Sequence, residues 1–369
     1  MCPGPCVRRR ESTRDAGMLP KNEMSVPAKR DANDRGMIAG GLGERDRAVG
    51  WTPLRAEAVR TRRIRVADPL FHGVSGLFAF SLFAIVVSIA LVLVYESSDA
   101  IRTFGWGFLV TSKWDPVFKE FGALPFVYGT LVSSLLALAQ AVPLGIGTAL
   151  FLSEMAPARL EALVSFLVEL LAAIPSVVYG LWAIFVLVPW VRSYIAPGLG
   201  STLGFLPFFQ GPCYGVGMLT ASIILSVMIV PYITSVAHEV FRAVPAAQRE
   251  AALALGATRW EMVRLAVLPY GRTGVIGAIL LGLGRALGET MAVTMVIGNR
   301  ADISLSFFAP ASTMASVIAN EFSEATYDLY SHALVEIGLV LLIVTLAVNV
   351  LARLLVWRVS TPAGVLAAR

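Results

Sequence analysis

Six stretches of apolar residues follow one another along the chain, and each is long enough to cross a bilayer as a helix. They cover about 71–94, 126–152, 163–190, 215–236, 273–298 and 333–352. A transmembrane helix needs about 20 mostly apolar residues, whereas a membrane strand needs about ten. Only helices and closed barrels satisfy every backbone group in lipid, and unbroken runs of this length exclude strands. The pattern therefore predicts an all-α integral membrane protein with six transmembrane helices.

Few ionised side chains interrupt these stretches, and those that do are candidates for function. The Asp, Glu, Lys and Arg residues within them are Glu169, Arg285, Glu289 and Glu336. An isolated charge at the bilayer centre costs about 2.5–3.5 kcal/mol on insertion scales, and such residues normally face a bundle interior or a water-filled cavity. Glu336 lies near the end of its stretch and is interpreted as interfacial.

Arg285 and Glu289 are four residues apart, so both are predicted to project from one face of the fifth helix. A guanidinium is always charged and presents a planar fork of donors that suits a phosphate-like oxyanion. One hypothesis is that Arg285 meets an anion in transit while Glu289 positions or releases it. The alternative is an ion pair that orients helices five and six. For Glu169, contact with pathway arginines and capping of a broken helix both stay open.

Prolines interrupt three consecutive stretches. Pro143, Pro175 and Pro231 are predicted to break the second, third and fourth helices, because proline removes a backbone donor and kinks a helix. Membrane proteins tolerate such breaks where neighbours or water satisfy the freed carbonyls. Three in a row favour a bundle that surrounds a pathway.

Positive side chains predict the orientation. If the N-terminus is cytoplasmic, the inner segments hold 14 Lys and Arg and the outer segments hold 5, which favours cytoplasmic N- and C-termini. The inner segments are then 55–70, 153–162, 237–272 and 353–369. Residues 1–54 are polar without a hydrophobic period and are expected to form a disordered cytoplasmic tail. After this tail we expect three further parts: a basic segment over 55–70, a membrane domain over 71–358 and a cytoplasmic tail over 359–369.

Composition agrees with a membrane protein and excludes several other classes. Hydrophobic residues make up 56% of the chain and charged residues 15%, with a mean hydropathy of +0.72, far from the balance of a soluble domain. The net charge of +5 is modest, so nucleic-acid binding is a poor interpretation. The three cysteines form neither a disulfide framework nor a metal-binding spacing, and no metal or cofactor is expected on this chain.

The longest inner loop, 241–272, carries signals for two short helices. Pro245 suits a helix start, Gly256 suits its end, and Thr258 with Glu261 matches a capping box for the second helix, which Pro269 is expected to stop. The loop is either an amphipathic hairpin on the lipid surface or a docking element for a soluble partner.

The chain lacks the GxxxxGK[ST] pattern that cradles nucleotide phosphates, and none of its lysines, Lys21, Lys29, Lys113 and Lys119, follows a glycine-rich loop. It is therefore not expected to be an enzyme that hydrolyses ATP. If it belongs to a pump, another chain must supply the motor.

The same loop resembles the EAA loop of type I ABC-importer permeases. The matching positions are Glu250, Ala251, Ala252, Gly256, Leu268 and Pro269, while Ala266 replaces a larger aliphatic residue. GRALGETMAVTMVIGN at 284–299, ELLAAIPSVVYGLW at 169–182 and LVTSKWDP at 109–116 resemble the PstC-type phosphate permeases. The resemblance covers about 71–358.

This resemblance implies a type I permease bundle in a bacterial inner membrane that imports inorganic phosphate, with the EAA loop as its coupling hairpin. It implies a PstA-like sister permease, two PstB-like ATPases that use ATP and magnesium, and a periplasmic phosphate-binding protein. A phosphate-sensing regulatory partner is a further possibility. Import of sulfate, molybdate or phosphonate stays open, as does a secondary transporter that needs no motor.

Overall fold

The structure, a computed structural model, describes residues 61–360, and helices dominate this part of the chain. The predicted tail 1–54, the start of the basic segment 55–70 and the predicted tail beyond residue 360 lie outside the described residues. In chain order the helices are α1 Thr61–Glu96, α2 Ser98–Phe104, α3 Gly107–Val110, α4 Leu124–Glu154, α5 Ala158–Ala173, α6 Ser176–Leu203, α7 Met218–Arg242, α8 Ala246–Ala254, α9 Arg259–Leu287, α10 Met291–Val296, α11 Met314–Glu321 and α12 Asp328–Ser360.

Within the described residues, six helices are long and apolar enough to cross a membrane, which confirms the predicted class and number. They are Pro69–Glu96, Leu124–Glu154, Ser176–Leu203, Met218–Arg242, Arg259–Leu287 and Asp328–Leu354. Length and composition establish this set. The limits of the membrane domain and the orientation of its termini stay predictions.

Two of the predicted stretches are divided. The third, 163–190, becomes α5 and α6, because Pro175 cannot donate to a helix and holds the preceding residue, Ile174, in an extended conformation with ψ of 130°. The long apolar helix therefore begins at Ser176 and continues past the predicted end. The fifth stretch, 273–298, is interrupted at 288–290, between α9 and α10.

The prediction that Pro143 and Pro231 break their helices is wrong. Both prolines lie inside helices that continue without interruption, α4 and α7. A proline removes one backbone hydrogen bond, and packed neighbouring helices in a bundle tolerate that loss. Pro175 is the one of the three prolines at which the helix ends.

Helix α7 forms the centre of the bundle, and its apolar side chains are buried on several sides. Ile233 of α7 packs against two glycines, Gly145 of α4 and Gly282 of α9. A Cβ atom at either glycine would come within 2.9 Å of the Ile233 side chain. Small residues of this kind let membrane helices approach closely. Helices α4, α7 and α9 therefore pack closely together, and α7 and α9 carry residues of the site described below.

The loop between α7 and α9 begins as predicted but ends differently. Helix α8 is followed by Gly256 with φ of +86°, and Thr258 and Glu261 form both bonds of the predicted capping box at the start of α9. The expectation that Pro269 stops this helix is wrong, because a π-helical turn over Val263–Val267 precedes the proline and the helix continues. The hairpin's second arm and Arg285 therefore lie on one continuous helix.

Candidate functional site

Arg285 and Glu289 lie together, but not on one helix face as predicted. Arg285 is in the last turn of α9, which ends at Leu287, and Glu289 lies in the interruption before α10. The distance from Arg285 Nη2 to Glu289 Oε2 is 3.9 Å, at the outer limit for an ion pair. The helical spacing predicted the proximity of the two side chains correctly, although the backbone that produces it is not a continuous helix.

The two partners differ in exposure. The Glu289 side chain is 6% exposed, whereas that of Arg285 is 39% exposed. Glu289 Oε1 accepts a long hydrogen bond of 3.4 Å from the backbone N–H of Ala292, in the first turn of α10. The carboxylate is therefore anchored to protein, while much of the guanidinium remains open to a ligand.

The aromatic ring of Tyr232, in α7, lies against the guanidinium of Arg285. The Cζ atom of Arg285 lies 5.2 Å from the centre of the Tyr232 ring, within range of a cation–π interaction. The Tyr232 hydroxyl donates a 2.9 Å hydrogen bond to the carbonyl of Ala172, at the end of α5. One side chain thus contacts both the arginine and the proline break.

Tyrosine hydroxyls donate to two carbonyls at the proline break, of which the Leu171 carbonyl also accepts a 3.3 Å bond from the Ile174 N–H. In an unbroken helix the carbonyl of Leu171 would accept from residue 175, which is a proline and has no N–H. The hydroxyl of Tyr179 donates to this carbonyl at 2.8 Å, next to the bond from Tyr232 to Ala172. Because buried backbone groups need partners, these two hydroxyls stabilise the break.

Arg285 opens into a cavity of about 570 Å³ between α7, α9 and α12. Two polar side chains of α12, Asn349 and Arg353, also line it, so a second guanidinium shares the space with the first. Sequence reasoning counted Arg353 only toward the orientation of the chain. No local pattern connects residues 68 positions apart, and only the packing of α12 on α9 brings them to one cavity.

Glu169 lines a different cavity, of about 320 Å³, between α5 and α7. Arg285 and Glu289 are not among its lining residues, so the structure does not bring the three predicted site residues together. The arginine that shares this cavity with Glu169 is Arg242. The role of Glu169 in capping the broken helix stays a prediction.

The predicted coupling residues lie partly on the surface of the hairpin and partly along α9. Glu250 and Ala251 are exposed on α8, and a groove of about 520 Å³ runs between the two arms, lined in part by Ala251, Ala252 and Gly256. Leu268 and Pro269 lie farther along, within α9. Leu255, beside the groove, is 90% exposed, so the hairpin presents apolar surface outside the bundle.

The sequence also matches a family model. Residues 141–361 match the binding-protein-dependent transport system inner membrane component family. The chain belongs to this family. The matched region contains the hairpin, both cavities and the Arg285–Glu289 pair, so these features are parts of an ABC-importer permease.

Two relatives agree with this assignment. The permease is 44% identical over 307 residues to the phosphate transport system permease protein PstC of Mesorhizobium japonicum, covering 82% of this chain and 94% of that protein. It is 44% identical over 301 residues to the protein of the same name from Haemophilus influenzae, covering 80% and 95%. The predicted resemblance to PstC-type permeases is confirmed.

The fold is also similar to a bacterial ABC transporter involved in the import of the acidic polysaccharide alginate. That similarity has a TM-score of 0.51 with 16% identity and covers 82% of this chain and 99% of the other. At this low sequence identity, the similarity is evidence for the fold alone. The predicted importer-permease bundle is confirmed, and the permease is a multi-pass inner-membrane component.

Proposed function

We propose that this chain is the PstC-type permease subunit of an ATP-driven importer and that it conducts inorganic phosphate across the bacterial inner membrane. The observation that carries the proposal is the Arg285 guanidinium, open to a cavity among three membrane helices and held only loosely by Glu289. The names of the PstC relatives support phosphate as the anion.

The geometry suits transient binding of an oxyanion. A guanidinium binds phosphate through a planar fork of donors, and its charge does not depend on pH in the accessible range. The centre of the Tyr232 ring lies 5.2 Å from Arg285 Cζ, and Glu289 Oε2 lies 3.9 Å from Arg285 Nη2. An arriving anion displaces this weak contact, and the carboxylate later repels the anion, so that binding does not become too tight for release.

The partners follow from the same proposal. A PstA-like permease completes the pathway, two PstB-like ATPases bind ATP and magnesium, and a periplasmic phosphate-binding protein delivers the anion. In this proposal the exposed hairpin with Glu250, Ala251 and Leu255 docks on an ATPase, and this loop and both termini are cytoplasmic. The chain itself uses no cofactor and hydrolyses no ATP.

Two other functions compete with this one. A permease for sulfate, molybdate or phosphonate would use the same guanidinium, because these anions also present oxygens to its donors. A secondary transporter would need no ATPase, which leaves the exposed apolar hairpin without a purpose. Each alternative makes a different prediction in the same assay.

The test is reconstitution of this chain with its candidate sister permease, ATPase and binding protein in proteoliposomes, followed by uptake of labelled phosphate and labelled sulfate. We expect phosphate uptake that requires ATP and exceeds sulfate uptake. Equal uptake of both anions would contradict the substrate assignment, and uptake that continues without ATP or the ATPase would contradict the motor.

The site is tested by two charge-removing variants in the same vesicles. Arg285→Gln removes the charge that meets the anion, and Glu289→Gln removes the charge that holds and releases it. We expect Arg285→Gln to abolish uptake and Glu289→Gln to slow it. Normal uptake by both variants, in complexes that assemble normally, would remove this site from the pathway.

A further inference from the structure

Arg249 of α8 joins three helices at the base of the hairpin, and no local motif marked it. Its Nε and Nη2 atoms donate to Glu154 Oε1 at 3.1 and 2.8 Å. Nη1 donates to the carbonyl of Val244 at 2.7 Å, and Nη2 donates to the carbonyl of Phe241 at 2.7 Å. Glu154 is the last residue of α4, and Phe241 lies in the last turn of α7.

We infer that Arg249 and Glu154 are positioning residues for energy coupling: their ion pair makes the ends of α4 and α7 move with the hairpin. This inference rests on the proposed function, in which an ATPase drives the hairpin. Neither residue touches the anion. Both act through the helices that they hold.

The first argument is that the contact is built for rigidity. The last carbonyls of a helix have no partner within it, and Arg249 supplies donors to two carbonyls at and just beyond the end of α7. The side chains of Glu154 and Arg249 are only 6% and 22% exposed. A buried pair that loses one partner leaves an uncompensated charge, so separation of the two helices from the hairpin is strongly disfavoured.

The second argument is that apolar packing alone would not fix the direction of movement. Ala149, Phe241, Val244 and Val267 belong to an apolar cluster that seats the hairpin on α4 and α7. Apolar contacts are non-directional and permit sliding. Four charge-assisted hydrogen bonds fix an angle as well as a distance, so a tilt of α8 is transmitted to the two helix ends.

The third argument is that two helices, α9 and α7, connect the hairpin to the candidate anion site. Helix α9 runs without interruption from the hairpin to Arg285. Helix α7 runs from Phe241 back to Tyr232, whose ring lies against the same guanidinium. Tyr232 is nine residues from Phe241, or about 13.5 Å at 1.5 Å per residue. Two helices, α9 and α7, therefore connect the hairpin to Arg285. Arg249 is the side chain that bonds the hairpin to α7.

The experiment uses the complete importer in proteoliposomes and measures phosphate taken up per ATP hydrolysed. We expect Arg249→Gln and Glu154→Gln each to lower this ratio roughly 5-fold or more, the low end of typical coupling free energies. The double variant is expected to be no worse than the poorer single variant, because both changes remove the same link. Arg249→Lys, which keeps the charge but not the fork, is expected to fall between Arg249→Gln and the parent.

Arg242→Gln is the matched control. Arg242 ends α7 in a looser pair with Glu161, at 3.7 Å, and is itself 60% exposed. We expect this variant to keep the parent ratio.

The ratio separates coupling from assembly. A complex that only assembles poorly loses uptake and hydrolysis together and keeps the parent ratio, and that result for the Arg249 and Glu154 variants would overturn the inference. If Arg249→Gln does not assemble, Arg249→Lys decides in the same way. A parent complex that shows no ATP-dependent phosphate uptake would instead refute the proposed function on which the inference rests.

Discussion

The guanidinium of Arg285 stands 3.9 Å from the carboxylate of Glu289, whereas Arg249 donates hydrogen bonds of 2.8 and 3.1 Å to Glu154. Both pairs join an arginine to a glutamate, and the glutamate side chain is buried in both. They differ in what the arginine does with its other donors. Arg249 donates its other hydrogen bonds to two backbone carbonyls, whereas part of the Arg285 guanidinium faces a cavity.

This difference separates a structural ion pair from a candidate ligand site. A guanidinium that donates four hydrogen bonds to protein has little capacity left for an anion, whereas a guanidinium held loosely over a ring keeps that capacity. The pair in the membrane is the loose one, although the cost of an unsatisfied charge is highest there. A loosely held charge in the membrane is costly unless it has a function. For this reason we assign transport to Arg285 and a structural role to Arg249.

The largest expected effect concerns stability. Glu154→Gln leaves the half-buried Arg249 without its counter-charge and should lower the unfolding free energy by about 2 kcal/mol. Glu289→Gln removes a buried carboxylate with a weak partner and should change it by less than about 0.5 kcal/mol. Reversible unfolding of both purified variants in mixed micelles makes the comparison. Equal losses would show that the two pairs are not built differently.

The next effect concerns the fork of Arg285. Arg285→Lys keeps a positive charge at the cavity but loses the planar pair of donors, so the apparent affinity for phosphate should fall about tenfold. Initial uptake rates over a range of phosphate concentrations measure this loss. Unchanged affinity would mean that the site needs only a point charge, and the argument from guanidinium geometry would fail.

A smaller effect is expected at Tyr232. Tyr232→Phe keeps the ring beneath Arg285 and removes the hydroxyl that satisfies the carbonyl of Ala172, at a cost of about 1 kcal/mol in stability. Tyr232→Leu removes the ring as well and should reduce uptake further, because the cation–π contact is lost. Uptake and unfolding of the two variants separate the two roles. Identical uptake in both would exclude the ring from positioning Arg285.

The smallest effect is expected at Arg242, whose side chain is 60% exposed and lies 3.7 Å from the carboxylate of the half-buried Glu161. Exposed ion pairs contribute little, so Arg242→Gln should change the unfolding free energy by less than about 0.5 kcal/mol. The same micelle assay provides the measurement. A loss as large as that of Glu154→Gln would show that burial does not distinguish these pairs.

Much of the fold was predictable because the length and the apolar composition of a stretch are enough to identify a membrane helix. Three features follow from signals that act over a few residues: the number of spans from apolar runs, the start of α9 from the capping box at Thr258, and the turn from Gly256. The fate of each proline was not predictable. Pro143, Pro231 and Pro269 lie within continuous helices and Pro175 does not. Whether neighbours can satisfy a freed carbonyl depends on packing that the local sequence does not describe.

By itself the sequence determined that the chain is a bundle of membrane helices with a hairpin outside it and an arginine and a glutamate within a membrane stretch. Only the tertiary structure decided that Tyr232 supports the arginine, that Arg353 shares its cavity, that Glu169 faces another one and that Arg249 ties α8 to α4 and α7. The reason is the range of the forces involved. Hydropathy and helix capping act between neighbours in the chain, whereas these contacts join residues that are distant in sequence and meet only when helices pack.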